Sequence, residues 1–218
     1  GATLLGLGLL VILAAFLGVH KQLGRERQAT RELRQLYAFG RELLETRLDI
    51  AAMCQLIHEY CQQVAPAPAF VIQLRETSGT LHCPLVILNG QRLSLTTLDC
   101  DASPYALLER TGEAILLTDS RDPWPCAPLP VAGATASGLY APIRSNDQVL
   151  GMIALQSDRP AAFTRTQLQE VTALASQAAL GIQAAALFRQ QQQRTAQLLL
   201  IAEIGRKVAA ILDLRTLF

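Results

Sequence analysis

Hydrophobic and polar positions are most regularly ordered between Gly138 and Gln190. Leu139, Ala141 and Ile143 share one face of an expected strand, and Asn146-Asp147 are turn residues that tolerate positive φ. On the return strand Val149, Gly151, Ile153 and Leu155 fall on one face, and Leu150, Met152 and Ala154 on the other. Both faces are apolar, which predicts a strand covered on both sides. Gly151 inside it predicts that something packs close to the backbone there. After Asp158-Arg159-Pro160 the period changes to that of a helix, with Leu168, Val171, Ala175, Ala178, Ile182 and Ala185 on one stripe. Thr164 and Gln167 have the spacing of a capping box, and Phe163 and Leu168 that of a hydrophobic staple.

At the other end, Ala2 to Val19 is apolar apart from Thr3 and free of charge and proline. His20, Lys21, Arg25, Arg27, Arg31 and Arg34 follow. About 20 apolar residues cross a bilayer as a helix, and a basic flank stays on the cytoplasmic side. A signal peptide would carry its charge before the apolar run. Residues 1–20 are therefore expected to span a membrane, with a buried core helix as the alternative. Residues 21–35 are expected to form a helical coiled-coil linker. No proline interrupts the chain from Leu23 to about Gln63. Leu33, Leu36, Gly40, Leu43, Arg47, Ile50, Cys54, Ile57, Cys61 and Val64 fall at steps of three and four, a heptad seam with weak points at Gly40 and Arg47. The seam pairs with a second copy or packs on its own domain; beyond Leu48 the latter is expected.

Between these ends, Ala65 to Ala69 stops the helix through its prolines. Phe70 to Glu76 reads as a strand, residues 77–80 as a turn, and Leu81 to Leu88 as a second strand. Asn89-Gly90 signals a hairpin with Gln91 to Leu95 as its return. Ser103 as N-cap and Pro104 at the first helical position open a short helix, which Gly112 closes. Ile115 to Thr118 reads as another strand. Arg121 to Ser137 is a proline-rich loop, and such loops over a rigid sheet carry binding residues.

Composition sets limits. With 218 residues, 50% hydrophobic, 17% charged and net charge +1, the chain holds one domain plus flanking helices and offers no charge for nucleic acid. Five cysteines without a CxxC argue against a disulfide framework or zinc knuckle. His58 and Cys61 share a helix but lack further ligands, so no metal is expected. No phosphate loop, zinc-protease, nucleophile-elbow or kinase signature occurs, and no catalytic residue is expected.

Two longer phrases carry more information. The hairpin feeding D-R-P-x-x-F-T (158–164) and its helix, together with R-T-G-E-A-I-L-L-T-D (110–119), resemble the GAF domain over about Leu36 to Gln190. The resemblance implies an α+β fold with a central antiparallel sheet of five or six strands flanked by helices, preceded here by the transmembrane helix and followed by a long signalling helix. The domain is assigned to residues 36–190. A ligand, where one binds, would lie between the sheet and residues 100–137. Tyr105, Trp124, Cys126 and Tyr140 form the candidate pocket, with Cys100 nearby, suited to a small apolar or planar molecule. The competing reading is that Trp124 merely caps the core. Tetrapyrrole-binding members attach their chromophore through a cysteine usually followed by His; here His82-Cys83 is reversed and on a strand. Cyclic-nucleotide binders carry N-K…F-x-x-x-D-E; here Phe163 is followed by Gln167-Leu168, with no Asn-Lys. No cofactor is expected. Asp99 and Asp101 would raise the Cys100 thiol pKa and weigh against redox sensing there.

The resemblance further implies a sensory module of a membrane-anchored bacterial signalling protein. It would lie on the cytoplasmic side of the inner membrane, as a homodimer through its flanking helices, responding to an unidentified small molecule or membrane signal. Such arrays most often end in a histidine kinase, with diguanylate cyclases and phosphatases as alternatives. A ligand-free dimerisation scaffold is the competing role. I-G-R-K-V-A-A-I-L-D-L (204–214) echoes F-G-R-E-L-L-E-T-R-L-D-I (39–50), so residues 191–218 are expected to be a connecting helix and the start of a second GAF domain in a longer protein.

Overall fold

The structure, a computed structural model, describes residues 34, 36–46, 48–76, 79–95, 104–121, 123–131, 133–146 and 148–216. The expected membrane span and all of the linker but Arg34 lie outside them. Six strands form one antiparallel sheet, β1 (Ala69–Arg75), β2 (Leu81–Leu88), β3 (Gln91–Arg92), β4 (Ile115–Leu117), β5 (Ser137–Ser145) and β6 (Gln148–Ser157). Their spatial order is β3-β2-β1-β6-β5-β4. The helices are α1 (Ile50–Val64), α2 (Pro104–Thr111) and α3 (Arg165–Thr216), preceded by helical residues 36–45.

One face of the sheet carries the helical layer. Phe70, Ile72, Leu139, Ala141, Ile143, Ile153 and Leu155 meet Met53, Cys54, Ile57 and Cys61 of α1 and Val171, Ala175, Ala178 and Ile182 of α3 in a continuous core. The capping box of α3 is present: the Gln167 amide N–H donates to Thr164 Oγ1 at 3.2 Å, and the Thr164 N–H to Gln167 Oε1 at 2.8 Å. Gln167 Nε2 also donates to the Val64 carbonyl at 3.1 Å, which ties the start of α3 to the end of α1. Small residues let the helices approach closely; a methyl added at Gly181 would meet Leu43. Helix α3 then runs on for 52 residues as a single rod.

The other face is covered by α2 and residues 118–136, around Val71, Val86, Leu108, Leu129, Tyr140, Met152 and Ala154. Strand β6 is thus covered on both sides, as its two apolar faces require. Its neighbours are β1 and β5. A Cβ at Gly151 would collide with the Gln73 carbonyl and Leu74, so the expected close approach is that of β1.

Three expectations are corrected. The stretch from Leu23 to Gln63 is not one helix: helical residues 36–45 end at Thr46, and Leu48 has φ of 64°. The Thr46 hydroxyl donates to the Leu43 carbonyl at 2.7 Å, and the Asp49 carboxylate caps α1 by accepting from the Ala51 N–H at 2.9 Å. These local side-chain bonds outcompete the helical ladder and break the heptad seam at its weak point. Before the break, Phe39 and Leu43 pack on their own domain, Phe39 edge-on to Tyr60 at 5.1 Å. The second correction concerns β6. Ile143 pairs with Gly151 but Arg144 with Val149, so Leu150 is the extra residue of a bulge. Residues before the bulge change face: Val149 packs with Met152 and Ala154, and Leu150 with the helical layer. The third is length: β3 covers only Gln91–Arg92 and β4 only Ile115–Leu117.

Gly151→Ala is expected to cost about 1–3 kcal/mol, the range for forcing an extra methyl into a packed interior. Urea unfolding followed by circular dichroism measures it, and an unchanged midpoint would contradict the tight β1–β6 approach.

Candidate ligand-binding face

The four expected pocket residues are all brought to the face opposite the helical layer. Tyr105 and Tyr140 are buried in the apolar cluster there, with Trp124 and Cys126 packed against that cluster; Cys100 lies outside the described residues. Each arrives by a different local route. Tyr105 sits in the first turn of α2, and its hydroxyl donates to the Val149 carbonyl at 3.3 Å. The Gly112 N–H closes that helix on the Leu108 carbonyl at 2.7 Å. Glu109 of the same helix pairs with Arg75 at the end of β1. Both partners are about half exposed, so this pair contributes at most about 1 kcal/mol.

Trp124 is held by the strand end before it. Its indole N–H donates to the Asp119 carbonyl at 2.5 Å. The Asp119 carboxylate accepts from the Arg121 guanidinium and from the Arg121 backbone N–H, and these bonds hold its pKa down to about 2. Asp119 therefore ties down both Arg121 and Trp124, with the indole folded back towards the core. Burial of Leu129 and Val131 anchors the remainder of the loop.

Tyr140 is the deepest of the four. A Cβ at Gly138 would lie 2.8 Å from the Tyr140 ring and hydroxyl, so the ring occupies the space that a side chain at 138 would fill. Its hydroxyl accepts from Gln156 Nε2 at 3.0 Å. Burial raises the Tyr140 pKa, as it does that of the half-buried Cys126 thiol, whose proximity raises Tyr140 further.

Two of the three aromatic polar tips are therefore satisfied by backbone carbonyls, and Tyr140 is left facing a side-chain amide. Gln156 was absent from the expected site. It is 0% exposed, and its Oε1 has no hydrogen-bond partner. The available signal was one long polar residue closing the run Met152, Ala154, Gln156 on an apolar face. The described residues hold no group of three or more His, Cys, Asp and Glu placed to bind a metal. Cys54 and Cys61 are buried in the helical layer with thiol pKa values pushed up to about 12. His58 packs edge-on to Phe70 at 4.8 Å. The residue is partly exposed, but both ring nitrogens are buried without a hydrogen-bond partner.

An antiparallel sheet with a helical layer on one face and a helix-plus-loop cover on the other is the architecture of small α+β sensory domains. The family model for the GAF domain matches residues 47–183, more than half of the chain, and the chain belongs to that family. Solved structures agree on the fold. A methyl-accepting chemotaxis protein is similar at 16% identity and TM-score 0.56, over 69% of this chain and 98% of that one. The GAF domain of an Acinetobacter phosphoenolpyruvate-protein phosphotransferase is similar at 17% identity and TM-score 0.54, over 71% and 94%. A GAF domain/HD domain protein from Geobacter sulfurreducens is similar at 15% and TM-score 0.50, over 64% and 95%. No curated protein sequence matches the chain.

Two outcomes follow from the buried titratable groups. Burial lowers the His58 pKa from its ordinary 6.5, with Glu59 opposing. Above pH 6.5 both folded and unfolded chains carry neutral His58, and its contribution to stability is complete. As pH falls below 6.5 the unfolded chain binds the proton first, so stability declines until the folded pKa is passed. His58→Leu should therefore remove part of the loss in urea midpoint between pH 7.5 and pH 5; an unaltered difference would contradict it. The Cys126 thiol should alkylate with iodoacetamide more slowly at pH 7 than a free cysteine, because less thiolate is present. Peptide mapping of the modified chain reads the rate, and reaction at or above the free rate would contradict the burial argument.

Proposed function

We propose that this domain is the sensory module of a membrane-anchored bacterial signalling protein. The apolar residues 1–20 would hold the chain in the inner membrane, with the basic flank and the GAF domain on the cytoplasmic side. A small molecule at the Tyr105, Trp124, Cys126 and Tyr140 face, or a membrane signal arriving through the leading helix, would alter the packing of α3. Helix α3 would pass that change to an output domain, most often a histidine kinase in proteins of this kind. A diguanylate cyclase or a phosphatase is the alternative output.

The observation that carries this reading is the continuity of β6 and α3. One strand touches the candidate ligand face and the helical layer, and seven residues after it ends the chain enters a 52-residue helix. That helix leaves Leu180, Leu187, Leu198 and Ile201 exposed. Leu180, Leu187 and Ile201 share one heptad register, with Arg194 in the same register and Leu198 three residues before Ile201. Apolar residues at that spacing favour a second helix, which supports a homodimer of two such rods.

A ligand-free dimer scaffold is favoured by a different observation. The Tyr105 O–H and Trp124 N–H already donate to backbone carbonyls, leaving neither donor free for a ligand. Binding to the folded state raises stability by RT ln(1 + [L]/Kd), about 2.7 kcal/mol at a hundredfold excess over Kd. A thermal-shift screen of nucleotides, haem, bilins, neutral amides and small anions separates the two. The sensory reading expects at least one class to raise Tm by several degrees; no shift from any class favours the scaffold.

A further inference from the structure

Gln156 is fully buried on the candidate ligand face, and its amide oxygen lacks a hydrogen-bond partner. It lies on β6 opposite Gly138 of β5 and Ala69 of β1. Its amide nitrogen is satisfied by Tyr140, and its amide oxygen is buried with no partner. Exchanging the amide O and N positions does not remove the problem. The Tyr140 hydroxyl can donate or accept, so in either orientation one amide atom is paired and the other is left over. An unpaired buried polar atom of this kind costs about 1–3 kcal/mol. Leucine or methionine would fill the same apolar position without that cost.

The surroundings restrict what could complete the pair. The buried polar or charged residues among those described are Gln73, Ser137, Ser145, Gln156 and Ser157, none of which is ionised. Arg75 and Glu109 at the α2 end, and Asp119 and Arg121 at the loop, pair with each other at the surface. A carboxylate or phosphate brought against Gln156 would lose its hydration without gaining a cation. An uncharged group with a donor and an acceptor side by side meets the leftover amide atom in either orientation, and its flat body suits the Trp124 and Tyr140 rings.

We propose that Gln156, positioned by Tyr140, recognises a neutral, planar ligand through an amide-like edge of the carboxamide, lactam or imide type. This rests on the reading of the Tyr105–Trp124–Cys126–Tyr140 face as a ligand site and supplies its chemical class. The charged isostere of such a ligand is excluded by desolvation.

The chain holds one tryptophan, so 5-fluorotryptophan incorporated in the full chain gives a single fluorine resonance that reports on Trp124. Benzamide and benzoate, equal in shape and different in charge, are the probes. The expected result is a saturable Trp124 shift with benzamide and at least tenfold weaker binding of benzoate. Gln156→Leu should lose the benzamide response, and Tyr140→Phe should weaken it; Gln156→Met serves if the leucine variant does not fold. Benzoate binding as well as or better than benzamide, or a benzamide response surviving both Gln156 variants, overturns the assignment of ligand class while leaving the face as a site. A Trp124 resonance moved by neither probe, and by none of the nucleotides, haem or bilins of the thermal screen, overturns both, with a fixed water then completing the Gln156 bonds.

Discussion

Strand β6 is hydrogen-bonded on both edges and packed on both faces. Its edges belong to β1 and β5, Ile153 and Leu155 are buried under the helical layer, and Met152 and Ala154 are buried under α2 and the loop. A strand held from four directions cannot shift one layer without loading the others, because packed interiors are close to crystalline density. Gly151 marks the tightest point, where the Gln73 carbonyl occupies the position of a side chain. The Leu150 bulge lies one residue earlier and reverses the faces of the first turns of the strand. Both covers of the sheet, and the route from one to the other, depend on this strand.

The helical layer continues that constraint outward. Ser157 ends β6, and its hydroxyl accepts from the Arg159 N–H at 3.1 Å, while the Ser137 hydroxyl donates to the Arg159 carbonyl at 2.6 Å. The turn between strand and helix is therefore bonded to both hairpin strands. Thr164 and Gln167 fix the first turn of α3, and Gln167 also fixes the end of α1. From that point the rod leaves the domain. Its first half is core, as Val171, Ala175, Ala178 and Ile182 show, and residues 186–204 are exposed. By length and composition Arg165–Ile204 is apolar enough to cross a membrane, but a helix whose first half packs on its own sheet is explained as a core helix.

Much of this was legible from residue pattern. The hairpin, the capping box, the Asn89-Gly90 turn and the two-faced strand all rest on local signals that tertiary structure had no reason to override. The misses share one cause. The Thr46–Asp49 break and the Leu150 bulge depend on a few side-chain and register choices that periodicity does not encode. Both insert a phase change into an otherwise regular pattern. In the candidate site, aromatic content identified Tyr105, Trp124 and Tyr140 as neighbours. It did not identify their hydrogen-bond partners, which are the Val149 carbonyl of β6 for Tyr105, the Asp119 carbonyl just past β4 for Trp124, and the Gln156 side chain for Tyr140. Gln156 escaped for the opposite reason: a single polar residue near a strand end reads as solvent-facing until the loop above it is placed.

The central claim is that the loop cover and the rod are mechanically joined through β6. Hydrogen exchange in Leu129→Ala measures it directly, because Leu129 is 1% exposed under the loop and outside the helical core. The account predicts faster exchange in residues 118–136 and, with them, in β6 and residues 165–185 of α3. Faster exchange confined to residues 118–136, with β6 and α3 unchanged, would contradict it.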